Sequence, residues 1–202
     1  MVCAKTPYQG EAAVARLLGI TRFWNYISDW IECRVHLRPE KDNALDLGSA
    51  DYRWRTIYTG TAIGARAYNS GNIAISTSAA WTALTFDSER FDTDGIHSTS
   101  TNTDRLTCVT PGVYLITGHA QFAANATGAR ALGIDLNGGS PIAYQRGDNV
   151  GASFTTLVSI ATIYQLSAGN YVRLLAWQAS GGSLDVVAAG NHSPEFAMVR
   201  LA

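Results

Sequence analysis

The chain has 202 residues, 47% of them hydrophobic and only 15% charged, which is enough apolar material for a sizeable core in one or two domains. Fifteen basic side chains against sixteen acidic ones leave a formal net charge of −1, which excludes the electrostatic footprint of a nucleic-acid or anionic-membrane binder. The three cysteines, Cys3, Cys33 and Cys108, are odd in number, far apart and without metal-ligand spacing, so they read as unpaired thiols.

No run approaches the roughly 18 apolar residues of a membrane span, and the first residues lack the apolar core of a secretory signal. Synthesis in a cytoplasm is expected, with any exit from the cell as part of an assembly. Residues 1–10 show no periodicity. From about residue 11 to residue 35, Ala13, Leu17, Ile20, Trp24, Ile27 and Ile31 recur in steps of four and three, which predicts a helix with one apolar stripe. Isoleucine at both seam positions favours three or more helices over two. Residues 1–41 are therefore read as an anchoring and trimerisation segment, with Leu17, Ile20, Trp24, Ile27 and Ile31 as its seam. So short a helix is marginal alone in water, and the alternative is a helix packed on its own domain.

Pro39 ends the helical pattern. In residues 42–61, Leu45, Leu47, Trp54, Ile57 and Tyr58 are too few to bury a core within one chain, so they need threefold repetition or a neighbouring domain. The LDLGS run, the Arg53-Trp54 pair and the Ile57-Tyr58 ending resemble a motif of tailed-bacteriophage fibre proteins. In those fibres it belongs to small intertwined β elements just before a knob. An ordinary β-hairpin is the alternative.

Beyond residue 62 every periodic stretch is short. Strands are predicted at 65–68, 72–76, 81–86, 106–109, 113–122, 130–136, 142–145, 154–164, 171–177, 184–188 and 196–201, with 87–104 as a long polar connection. The central one follows a Pro111-Gly112 turn and alternates strictly. Tyr114, Ile116, Gly118, Ala120 and Phe122 lie on one side, and Val113, Leu115, Thr117, His119 and Gln121 on the other. Asn137-Gly138 marks a hairpin, since both residues tolerate positive φ. Strands at this spacing without helices predict a sandwich or barrel.

Phe86, Glu89-Arg90-Phe91-Asp92, Pro111-Gly112-Val113-Tyr114, Asn125, Gly128-Ala129-Arg130, Asn137-Gly138, the run 166–172 and the terminal run 196–201 together resemble the globular domain of the C1q/tumour-necrosis-factor-like superfamily, found in many phage fibres. The resemblance covers residues 62–202, about two-thirds of the chain. It implies a mostly β fold, a ten-stranded jelly-roll sandwich behind the N-terminal helix and small β linker, and a homotrimer packed about a threefold axis through apolar strand faces. Tyr114, Phe122 and Tyr164 are the interface residues assigned to the knob. The strand 154–164 agrees, because Phe154, Leu157, Val158, Ile160, Ile163 and Tyr164 are apolar on both of its faces.

Catalytic chemistry is hard to find. Asp87, Glu89, Asp92 and Asp94 form an acidic cluster, but they fall in the polar connection and read as a solvated loop. Two rival readings are a carboxylate pair for glycoside hydrolysis and a calcium site completed by Asp104. His36, His97, His119 and His192 have no metal-ligand spacing, there is no GxSxG elbow, and Gly138-Gly139 and Gly181-Gly182 open no helix. No catalytic residue, metal or cofactor is assigned.

The remaining candidates are surface loops whose aromatic and polar residues suit sugars: Tyr144, Arg146, Asp148 and Asn149 in one, Gln178 and Ser180 in another. The expectation is a trimeric, non-enzymatic virion fibre protein. Its N-terminal segment would bind other virion proteins, and its knob would bind a host surface receptor, a glycan. The rivals are a structural virion component without a receptor (head fibre, capsid decoration or baseplate protein), a polysaccharide depolymerase, and a bacterial C1q-like adhesin.

Overall fold

Period-two alternation recurs along the chain from residue 64 onward, and in the computed structural model of the protein it becomes strand after strand. The structure describes residues 60, 62–76, 79–148 and 150–202. The seam residues Leu17, Ile20, Trp24, Ile27 and Ile31, the helix of 11–35 and the linker of 42–61 apart from residue 60 lie outside the described residues, as does Asn149.

Twelve strands follow in chain order: β1 (Gly64–Tyr68), β2 (Ile73–Ile75), β3 (Thr82–Ala83), β4 (Ser88–Asp92), β5 (Leu106–Thr107), β6 (Gly112–Phe122), β7 (Ala129–Leu136), β8 (Pro141–Asp148), β9 (Thr156–Leu166), β10 (Tyr171–Gln178), β11 (Leu184–Val186) and β12 (Glu195–Arg200). Ten have three residues or more, while β3 and β5 are two-residue strands that pair with β10. One sheet has seven strands in the order β2-β11-β6-β12-β1-β4, with β9 along the other edge of β6. The second has five, in the order β3-β10-β7-β8, with β5 also on β10. The pairings between these strands are antiparallel, as a sandwich built from hairpins and crossovers requires.

The core lies between the sheets. Tyr114, Ile116, Ala120 and Phe122 of β6, with Phe196 and Met198 of β12, meet Leu132 and Ile134 of β7 and Val172, Leu174 and Ala176 of β10, all of them buried. Gly118 completes the inward row of β6 because Leu174 packs onto its backbone. A Cβ there would stand 2.5 Å from Leu174 Cδ1. Tyr114 keeps its polar tip satisfied by donating from its hydroxyl to Thr110 O at 2.5 Å, as a buried tyrosine must.

Two expectations about the strands need correction. The stretch 87–104 is not all connection: Ser88–Asp92 forms an edge strand on β1, with a register shift between Arg66 and Ala67. Its charged residues hide the alternation, which is also how natural edge strands resist further pairing. The predicted strand 81–86 shrinks to Thr82–Ala83. The Asn137-Gly138 hairpin forms as read. Both residues have positive φ, and Gly139 N donates to Leu136 O at 3.0 Å between β7 and β8.

Candidate functional site

Each sheet turns one face away from the core, and these two faces hold the exposed side chains with functional potential. On the seven-stranded sheet, strand register arranges the outward residues in rows. The first runs Gly64, Val199, Leu115, Ile163; the second Arg66, Ala197, Thr117, Ala161; the third Tyr68, Glu195, His119, Ser159. The first row is apolar, with Ile163 61% exposed. The second is small and flat across β12, β6 and β9. Leu157, opposite Gln121, is 56% exposed, and Phe91 on β4 is 48% exposed.

The third row holds a buried carboxylate. Glu195 is 1% exposed, although its position in the pleat points out of the sheet. Arg66 covers it through Nε and Nη2, and Arg90 reaches its Oε1 from Nη2 at 3.0 Å. The same two guanidinium groups donate to Asn191 O and Gly190 O, and Arg90 lies 3.9 Å above the Tyr68 ring. The register shift in the β1–β4 pairing falls at Arg90, the usual way a bulge re-aims a side chain. Beside this cluster, burial holds His119 below the usual histidine range, against the pull of the Glu195 carboxylate.

The five-stranded sheet presents a different surface. Its outward rows are Ala83, Leu175, Gly133, Tyr144 and then Trp177, Ala131, Arg146, with Asp148 opposite Ala129. Trp81 lies over Gly133, where a Cβ would meet its Cζ3 and Cη2 at 3.3 and 3.4 Å. It packs edge-on against Tyr144, with ring centroids 5.7 Å apart and planes at 89°. Trp177 is fixed by a bond from Nε1 to Ala79 O at 2.5 Å. Tyr144 is 56% exposed and Trp81 37%, and Arg146 and Asp148 are exposed beside them. At the other end of this face Asp135, fully buried, takes Arg173 at 2.6 Å, and Arg173 also lies 3.6 Å from Asp104. That bond to Asp135 raises the Arg173 pKa above its ordinary value.

Several assigned residues stand elsewhere than expected. Tyr114 and Phe122 are fully buried in the core of one chain, so they are not available to an interface. The alternation of β6 holds, but the row facing out is the one with Leu115, Thr117 and His119. Tyr164 sits opposite Tyr114 and is 37% exposed. Gln178 and Ser180 are not receptor-facing: they are 1% and 8% exposed. The Gln178 amide donates to Ile75 O, Ser76 O and Gly182 O and accepts from Ser180 N, so it ties a turn to β2. Tyr144, Arg146 and Asp148 are exposed as expected, but on strand β8 and not in a loop. At alternate positions of one strand they share one face.

The acidic residues are engaged in the architecture. Asp87 bonds the Ser70 hydroxyl and amide. Burial works to raise its pKa, and those two bonds hold it below the ordinary value. Glu89 pairs with His97 Nδ1 at 2.9 Å, Asp92 accepts from the amides of Asp94 and His97, and Asp94 accepts from Thr110 N. Asp104 lies against Arg105 and Arg173. Among the described residues no three His, Cys, Asp or Glu side chains are grouped to hold a metal ion.

No protein-family model matches this chain, and no curated protein matches it. Among solved structures, murine APRIL matches with a TM-score of 0.53 at 10% identity, over 70% of this chain and 100% of that one. The globular domain of zebrafish complement 1qA matches with a TM-score of 0.48 at 18% identity, over 70% of this chain and 98% of that one. Eiger TNF from S. frugiperda matches with a TM-score of 0.45 at 15% identity, over 70% of this chain and 93% of that one. The sandwich has the C1q/TNF-like jelly-roll fold. The APRIL match carries that statement together with the strand order.

Proposed function

We propose that this chain forms the homotrimeric knob of a tailed-bacteriophage fibre and attaches the virion to a receptor on the host cell. The observation that carries the trimer is the outward face of the seven-stranded sheet. Leu115, Ile163 and Val199 make an apolar row above the flat row Thr117, Ala161, Ala197. Flat, apolar strand faces of this kind leave water when copies pack about an axis. The resemblance of residues 42–58 to a fibre motif supports the virion, and three copies of a receptor face give avidity without any new contact.

Sedimentation velocity of the full-length protein, followed by binding of the fluorescent protein to host cells, tests the reading. A trimer that decorates cells and blocks phage adsorption is the expected result. A monomer, or a trimer that leaves cells unlabelled and adsorption unchanged, sinks it.

A further inference from the structure

The face that the proposed trimer leaves outward has the composition of a sugar platform. Trp81 lies over Gly133, with Tyr144 opposite that glycine on β8 and Trp177 opposite the buried Ala131 on β10, and each ring is held by the chain itself. Trp81 rests on Gly133, Tyr144 is set edge-on to Trp81, and Trp177 is tied through Nε1. Rings fixed before a ligand arrives lose little freedom on binding.

The neighbours decide what the platform suits. Arg146 and Asp148 follow Tyr144 at alternate positions of β8, so an exposed ring, a guanidinium donor and a carboxylate acceptor line up on one face. Steps of two residues along a strand are about 6.8 Å, a distance that a ligand of sugar size bridges. A protein hot spot wants a desolvated pocket, and a lipid surface wants a continuous apolar patch. Here the rings are edged at once by groups of both charges. The matching ligand has one apolar C–H face and a rim of hydroxyls that both donate and accept. That is a pyranose ring.

We infer that the outward face of β10, β7 and β8 binds a cell-surface polysaccharide, with Trp81 and Tyr144 packing against one sugar ring and Arg146 and Asp148 bonding hydroxyls of that ring and of the next ones along the polymer. The inference rests on the receptor-binding reading and supplies its ligand class and its site. The test applies the full-length protein to an array of bacterial surface polysaccharides, and to host cells treated with periodate or with protease. Trp81→Ala and Tyr144→Ala are each expected to weaken array binding about tenfold, the scale of one lost aromatic contact.

Arg146→Ala and Asp148→Ala change exposed residues and are expected to weaken it with an unchanged melting temperature. Val109→Ser, on an exposed residue of another region, is expected to bind as wild type. Periodate treatment of the cells is expected to abolish labelling. The inference is overturned if the array shows no binding, or if all four platform variants bind like wild type. Labelling that survives periodate and is lost to protease overturns it too, and leaves the receptor reading standing with a protein partner. No labelling of untreated cells overturns both.

Discussion

The two outward faces of this sandwich share a core and differ in almost everything else. The face of the seven-stranded sheet carries one apolar row and one flat row of small residues across β12, β6 and β9, beside a buried carboxylate held by two arginines. The face of the five-stranded sheet carries aromatic rings over small residues, and there one arginine serves two carboxylates. Flat apolar strands suit a second copy of the same chain. Fixed rings among charges suit a small polar ligand repeated along a polymer. Under the proposed function the two sheets divide assembly and recognition between them, while the core between them stays common.

The largest effect comes from putting a charge into the apolar row. Ile163→Asp is expected to convert the trimer wholly to monomer in sedimentation velocity at micromolar concentration. Each chain loses roughly 1.5–3 kcal/mol of apolar burial, the loss recurs at every copy, and a carboxylate is stranded in the interface as well. Tyr144→Asp, an equally severe change on the other face, is expected to leave the trimer intact. If both variants dissociate, or neither does, the division of labour between the sheets is wrong.

The two buried carboxylates sharpen the comparison. Glu195→Gln leaves Arg66 and Arg90 facing each other with no anion between them, and a loss of about 3–5 kcal/mol in urea unfolding is expected. Asp135→Asn leaves Arg173 with Asp104 still 3.6 Å away, so the loss is expected to be smaller, roughly 1.5–3 kcal/mol. Both are best measured in the Ile163→Asp background, where subunit dissociation does not add to unfolding. Equal losses would mean that the second arginine on Glu195 contributes nothing.

The pattern of the sequence reached as far as the strands and stopped at their orientation. Strict alternation from Val113 to Gln121 announces β6, yet period two defines two faces without saying which one a second sheet covers, and that is why the interface assignment of Tyr114 and Phe122 fails. Ser88–Asp92 has no alternation to read, because it is an edge strand paired to β1 alone and its Arg90 is turned onto the buried Glu195. Gln178 and Ser180 have the composition of a binding loop, and only the structure reveals that backbone carbonyls consume the amide. Trp81 could not be assigned from the sequence, since its seat is Gly133 on another strand. Tyr144, Arg146 and Asp148 are legible as a set, because parity along β8 puts all three on one face.

Titration separates the outward face from the core. His119 has its folded pKa depressed by burial, so the unfolded chain takes up its proton first, near the ordinary value of 6.5. Stability should therefore fall as pH drops below that value, and His119→Gln should flatten this slope in urea titrations. Tyr114 behaves in the opposite sense. Burial pushes its hydroxyl up to about 12, so its contribution is complete below pH 10 and is lost as pH rises from 10 to 12. Tyr114→Phe removes the alkaline step and leaves the acidic slope alone.

The smallest stability change is expected at Gly133→Ala, and it bears most directly on recognition. The glycine sits in a strand interior, where alanine restricts the unfolded chain and gains roughly 0.4–1 kcal/mol if the fold accepts it. Against that gain, the new methyl would stand 3.3 Å from Trp81 Cζ3, so the ring must give by a few tenths of an ångström. The two terms nearly cancel, and a melting temperature close to wild type is expected. Trp81 would nonetheless shift against Tyr144, which should change the tryptophan emission and weaken polysaccharide binding. Unchanged emission together with unchanged binding would mean that the seat of Trp81 is incidental, and that the two faces differ in composition without differing in task.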